Sequence, residues 1–199
     1  MATIGVRYGV GAIIKQFNEN QAPTYDTGFV VCRMIKADEK LNYNTGNDIY
    51  SDDAKEETDT TYSDGTISFD ATKLGKGLTK DEEYDVKSKM FGATLTEEGE
   101  LISGGLDTSP AMGFGYIQML QTNNKVTFEA KWFYNTVFRP VGDTVETKGK
   151  QISWQTKTYT GDINVVEGWG NNNFKSEKKF DTEAEAKEWL NGKANITTT

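Results

Sequence analysis

Gly113-Phe114-Gly115-Tyr116-Ile117-Gln118-Met119-Leu120-Gln121-Thr122-Asn123-Asn124-Lys125-Val126-Thr127-Phe128-Glu129-Ala130-Lys131-Trp132-Phe133-Tyr134 is the stretch on which the fold turns. From Lys125 onward, Val126, Phe128, Ala130, Trp132 and Tyr134 fall on one side of a period of two. Thr127, Glu129, Lys131 and Phe133 take the other side. A strand with a buried face has that period, and a helix does not. Asn123-Asn124 separates the two apolar runs, and asparagine tolerates the left-handed backbone that a tight hairpin needs. The stretch predicts two antiparallel strands and a short turn. A third run, Lys150 to Tyr159, sets Ile152, Trp154 and Thr156 against Ser153, Gln155 and Lys157 and predicts another strand.

Strands of this kind must pair and cover their apolar face. Thr3 to Tyr8 reads as a short strand or extended arm, Asn18 to Asp26 as a polar loop and Phe29 to Lys36 as a mostly apolar strand. Short strands are expected at Asp48 to Tyr50 and Lys55 to Asp59. Ser63-Asp64-Gly65 reads as a turn before the alternating Thr66-Ile67-Ser68-Phe69, and Gly161 to Glu167 as a further strand. Two helices are predicted. One spans about 79–91, with Thr79 and Glu82 as a capping box and Gly92 as its stop. The other spans about 182–191, with Thr182 and Glu185 as the box and Gly192 as its end. Thr96 to Pro110, rich in glycine and acids, reads as an exposed loop.

A chain of 199 residues fits one domain with extensions, here an N-terminal arm of about residues 1–10 and a C-terminal extension of about 174–199. It is long enough to build a core without a disulfide or metal. The lone Cys32 excludes an internal bridge and reads as a small buried hydrophobe. No secretory signal or membrane-length apolar run is expected. The formal charge of −8 argues against a protein that grips nucleic acid through phosphates. Nine acids against Lys40 and Lys55 between Asp38 and Asp64 give that stretch −7, leaving the remainder near −1.

The chemistry of catalysis is thin. With no histidine, the commonest general base, triad partner and zinc ligand are missing. No phosphate-cradling loop occurs, and Gly113-Phe114-Gly115 lacks the third glycine of a dinucleotide fingerprint. No carboxylate pair stands out as a glycosidase pair. The sequence therefore reads as a non-enzyme without cofactor or metal, and no catalytic, metal or cofactor-binding residue is expected. Asp48, Asp52, Asp53, Glu56 and Glu57 lack EF-hand spacing and read as a solvated acidic face. Trp132 and Trp154 read as core residues in place of a sugar platform. Trp169, in a Gly/Asn loop, is the aromatic expected to meet a partner.

Several segments in order resemble the major tail proteins of bacteriophages with long non-contractile tails. They are Met1-Ala2-Thr3-Ile4-Gly5; Asp48-Ile49-Tyr50-Ser51-Asp52-Asp53 with Glu57 and Gly65-Thr66-Ile67-Ser68-Phe69; a helix ending at Phe91-Gly92; and Pro110-Ala111-Met112-Gly113-Phe114-Gly115-Tyr116-Ile117. Further on come Phe138-Arg139-Pro140, the run from Thr147 to Thr156, Thr160-Gly161, and Phe180 to Leu190. The resemblance implies a mainly β fold, a β-sandwich or barrel of two packed antiparallel sheets with flanking helices. It implies a structural virion protein, found in the tail after synthesis in the bacterial cytoplasm, that forms stacked and hexameric rings. Those rings build the tail tube, the conduit for genome ejection. The implied partners are other copies of itself, the tape-measure protein, the tail terminator and the distal tail proteins. Viral DNA passes through without specific binding, and no membrane is involved. Thr3, Ile4, Tyr8 and Trp169 are then the expected inter-subunit contacts. Asp52, Asp53, Glu56, Glu57 and Asp59 either face the lumen, where they would repel DNA, or form a solvated outer loop. The competing reading is a β-sandwich module that binds carbohydrate, or a distal tail or baseplate component.

Overall fold

The computed structural model describes residues 2–44, 49–51, 54–57, 60–76, 79, 81–143 and 156–197, with 49–51 and 54–57 as backbone alone. In chain order the strands are β1 (Ala2–Gln16), β2 (Thr24–Tyr25), β3 (Phe29–Cys32), β4 (Lys36–Tyr43), β5 (Ile49–Ser51), β6 (Ala54–Glu57) and β7 (Tyr62–Ala71). Helix α1 (Asp81–Phe91) follows, then β8 (Thr94–Leu95), β9 (Leu101–Ile102), β10 (Met112–Thr122), β11 (Lys125–Phe138), β12 (Lys157–Ile163), β13 (Lys175–Phe180) and α2 (Glu183–Ala194). The fold is mainly β, as the alternation predicts.

The central hairpin is β10–β11, paired from Thr122↔Lys125 back to Met112↔Thr136. Asn123 and Asn124 both have positive φ, 47° and 62°. A two-residue turn with both residues left-handed matches the twist of the strands it joins. Around this hairpin one antiparallel sheet runs β2-β1-β10-β11-β12-β7-β4, with β3 added to β1 and β13 to β11. Two small hairpins, β5–β6 and β8–β9, stand beside it.

The sheet curls strongly. β7 and β10 are separated by β11 and β12, which in a flat sheet would put them roughly 14 Å apart. Yet Phe69 of β7 stacks on Phe114 of β10 with ring centroids 5.3 Å apart. Cys32 of β3 also forms a bridge with Leu74, just beyond β7, and the Gly75 N–H donates to the Val31 carbonyl at 2.7 Å. Strands from distant parts of the ladder thus share one interior. Phe69, Phe114, Phe133, Phe138 and Tyr159 fill it, with Val86 and Met90 of α1.

A second core lies on the opposite face of β1, β10 and β11. There Val10, Ile117, Ala130 and Trp132 are covered by Ala186, Leu190 and Ala194 of α2, which recur every four residues on one helix face. The Gly-Phe-Gly pattern makes this close approach possible. A Cβ on Gly113 would sit 2.2 Å from Trp132 Cζ2, and one on Gly115 2.8 Å from Leu190 Cδ2. The sequence alternation in β11 survives as far as Tyr134, with Phe128, Ala130, Trp132 and Tyr134 toward α2. A bulge then sets two residues of β11 against Gly113 of β10. The extra residue reverses the alternation, so Phe138 points into the first core.

Several boundaries differ from the sequence reading. Residues 2–10, expected as an arm, lie within β1, paired along β10 from Ala2↔Gln121 to Ile13↔Met112. Ser63-Asp64-Gly65 is not a turn but the start of β7, because its partners in β12 and β4 extend that far. α1 begins at Asp81, and Gly92 (φ 74°) ends it as predicted. α2 has the predicted Thr182–Glu185 capping box, but Gly192 does not end it. The helix continues until Asn195, in a left-handed conformation, caps it. The additional turn buries Ala194, which outweighs the roughly 1 kcal/mol helix penalty of glycine. The predicted loop 96–110 contains β9, which pairs with β8. Of the predicted strand 150–159, residues 150–155 lie outside the described residues, as does Trp154; β12 begins at Lys157.

Candidate functional site

Two bulges interrupt β1. Ile4 is the extra residue between the pairs Thr3↔Leu120 and Gly5↔Met119, and Tyr8-Gly9 stands between Arg7↔Ile117 and Val10↔Gly115. Tyr8 has φ 57°, and the five other non-glycine residues with positive φ among those described are all asparagines. A left-handed tyrosine carries strain on the order of 1–3 kcal/mol and persists only where its surroundings hold it. Here the Tyr8 hydroxyl donates to Asn191 Oδ1 of α2 at 2.7 Å, and Lys187 Nζ stands 5.3 Å from the ring centre.

Beside Tyr8 a cleft of about 600 Å³ opens between β1, β3 and α2. Its floor is apolar, with Val6, Val30, Cys32, Met34 and Ile196. Its charged side chains are Arg7, Arg33, Lys76, Lys187 and Glu183, a local balance of four cations to one acid. Glu183 accepts from Arg7 and Lys187, both at 2.7 Å. The Lys187 hydrogen bond is the main reason its carboxyl is held below the ordinary glutamate range; burial opposes the shift and Arg7 adds to it. Arg33 and Lys76 are exposed and make no ion pair with any described residue. Burial pushes the Cys32 thiol up to about 12, which leaves it a neutral hydrophobe in the cleft floor.

A second polar group closes the other side of the curl. Glu39 of β4 meets Lys175 of β13 and, at 3.3 Å, Lys131 of β11. Glu177 completes the set at 3.2 Å from Lys131 and 2.9 Å from Lys175. Burial works against the charge on both lysines, but the two glutamates outweigh it and raise both ammonium groups. Burial likewise opposes the Glu177 carboxylate, and the two lysines prevail to lower it. Beside this quartet Phe174 stacks on Tyr62 at 4.1 Å. The arrangement neutralises itself and reads as a clasp between β4 and β13.

The expected contact residues are thereby placed. Thr3 Oγ1 accepts from Gln118 Nε2, Ile4 is half exposed, and Tyr8 forms the wall of the cleft. Trp169 packs edge-on against Tyr134 with ring centroids 4.6 Å apart and is partly buried. Of the expected lumen acids, Asp52, Asp53 and Asp59 lie outside the described residues; Glu56 and Glu57 lie in β6, where the backbone alone is described. Sequence reading missed the basic cleft, since Arg7, Arg33, Lys76 and Lys187 are far apart in the chain. Among the described residues no three His, Cys, Asp or Glu side chains gather as a metal would require. Among them also, no helix is long and apolar enough to cross a membrane. Neither a protein-family model nor a curated protein matches the sequence.

Proposed function

We propose that this chain is a structural subunit that assembles with its own copies into stacked rings and so builds a tube, as its resemblance to phage major tail proteins suggests. The observation that supports this most is the state of the sheet's edges. Among the described strands, the eight-residue β4 pairs with β7 alone and the six-residue β13 with β11 alone. Unpaired edges of that length template pairing with another chain unless covered, and a neighbouring subunit would cover them. Exposed Lys36, Asp38 and Lys40 along β4 discourage random pairing while leaving a specific partner free to match them. In this reading the two halves of the curled sheet serve as the packed layers of a sandwich. Six subunits close each ring, the tape-measure protein occupies the bore during assembly, and terminator and distal tail proteins cap the ends. DNA then passes a wall that does not bind it.

Negative-stain microscopy and sedimentation of the purified chain across a concentration series test the reading. Rings or tubes are expected. A chain that stays monomeric at high concentration, alone and with tail-tip components, overturns it, and monomers that bind glycan would favour the carbohydrate module.

A further inference from the structure

The cleft beside Tyr8 is a basic site on an acidic protein, and the same chain displays a feature of opposite character. Between residues 96 and 110 there are four acids, Glu97, Glu98, Glu100 and Asp107, and no lysine or arginine. In the turn that follows β9, Leu106 is 96% exposed, the most exposed large hydrophobic residue described, and Asp107 is the acid beside it. A single exposed leucine is ordinary on a protein surface, but here the turn holds it outward by its own hydrogen bonds. The Gly104 N–H donates to Asp107 Oδ2 at 2.7 Å and the Asp107 N–H to the Gly104 carbonyl at 3.1 Å, so Gly105-Leu106 forms the tip of a closed turn. On the other side of β9, Thr94↔Ile102, Leu95↔Leu101 and the Thr96 N–H donating to the Glu100 carbonyl at 2.9 Å close a separate turn over 96–100, which carries Glu97, Glu98 and Glu100. Such a loop is ordered before it meets anything, which lowers the entropy cost of docking.

The cleft offers the matching surface. Its floor is apolar, Arg33 and Lys76 stand at its rim with no ion pair among the described residues, and its volume of about 600 Å³ admits a loop tip. Within one subunit no described hydrogen bond or ion pair joins loop and cleft, and the groove beneath the loop shares no lining residue with the cleft. The complementarity is therefore directed outward. We propose that the 96–107 segment of one copy docks in the Tyr8 cleft of the next, with Leu106 against the apolar floor, Asp107 facing Arg33 and Lys76, and the carboxylates of the 96–100 turn adding attraction from farther off. This rests on the self-assembly reading and names its contact. Because loop and cleft are different surfaces, the contact is head-to-tail and propagates.

Two variants with exposed substitutions test it: Leu106→Asp, which spoils the loop, and Arg33→Glu with Lys76→Glu, which spoils the cleft. Both should retain the wild-type circular dichroism and melting temperature. Each alone should need at least tenfold more protein than wild type to assemble. Mixed one to one, the intact cleft of the first meets the intact loop of the second, and sedimentation should show a complex that neither forms alone. If both variants assemble like wild type, or if neither assembles and the mixture forms no complex, the loop–cleft contact is overturned while the self-assembly reading stands. Failure of wild type itself to assemble under all conditions removes that reading and this contact together.

Discussion

Trp132 lies across Gly113 and Gly115 and beneath Leu190, so three residues distant in sequence depend on one flat contact. Trp132→Ala should lower stability by about 3–5 kcal/mol, since the space cannot collapse fully. A chain of this length loses roughly 2–4 °C of Tm per kcal/mol, which a thermal melt resolves easily. Gly115→Ala should cost about 1–3 kcal/mol from the opposite fault, because its Cβ would meet the Lys131 carbonyl oxygen at 2.6 Å. Tyr8 belongs to the same scale. Tyr8→Phe keeps the ring and the backbone strain but leaves Asn191 Oδ1 without its donor, at a cost of about 1–2 kcal/mol. A denaturation curve of Tyr8→Phe that coincides with wild type would show that the hydroxyl contributes nothing to holding α2.

The α2 helix shows how local signals and tertiary contacts divide the work at the scale of an element. Its start is local: Thr182 Oγ1 accepts from the Glu185 N–H, and the Glu185 carboxylate takes the Thr182 N–H in return. Thr182→Ala should therefore cost about 1 kcal/mol and raise hydrogen exchange in the first turn. The helix and the preceding strand β13 are also pH-sensitive, through Glu183 and Glu177 respectively. Glu183 and Glu177 both titrate below the ordinary value of 4.5 in the folded protein, so the stability they supply is present above that pH. It is lost as pH falls through their folded values, and equilibrium unfolding below about pH 4.5 should show stability declining. Replacing Glu183 by Gln should flatten that decline. Lys131 and Lys175, raised above 10.5, contribute stability fully below that pH and lose it as pH rises through their folded values.

For the molecule as a whole, the Glu39–Lys131–Lys175–Glu177 quartet joins β4 to β11 and β13, which meet only because the sheet curls. Glu39→Gln leaves two partly buried lysines facing one glutamate. Its cost should be on the order of 2–3 kcal/mol, less than the 3–5 of a fully buried pair. The same change should loosen β4, the edge offered to a neighbour in the assembly proposed here, and hydrogen exchange along Lys36–Tyr43 would report it. Assembly through a basic cleft and an acidic loop also has a salt signature. Exposed charges are screened beyond about 8 Å at physiological ionic strength, so added salt should weaken the loop–cleft contact between copies more than it weakens the fold.

Residues a few places apart specify those strands and turns whose causes are local. The alternation from Lys125 to Tyr134, the left-handed Asn123-Asn124 turn, the Thr182–Glu185 cap and the Gly92 stop are all legible because each depends on neighbours a few residues away. The mainly β class follows from them. Features that depend on distant partners are set by the folded chain instead. The length of β7 through Ser63-Asp64-Gly65 is set by β4 and β12, and the passage of α2 beyond Gly192 by the burial of Ala194. The left-handed Tyr8 is held by Asn191, 183 residues away. The basic cleft was hidden for the same reason: its four cations come from β1, the segments after β3 and β7, and α2, and no spacing rule links them. Local propensity acts over a few residues, whereas curling the sheet brings surfaces together without regard to their distance in the chain.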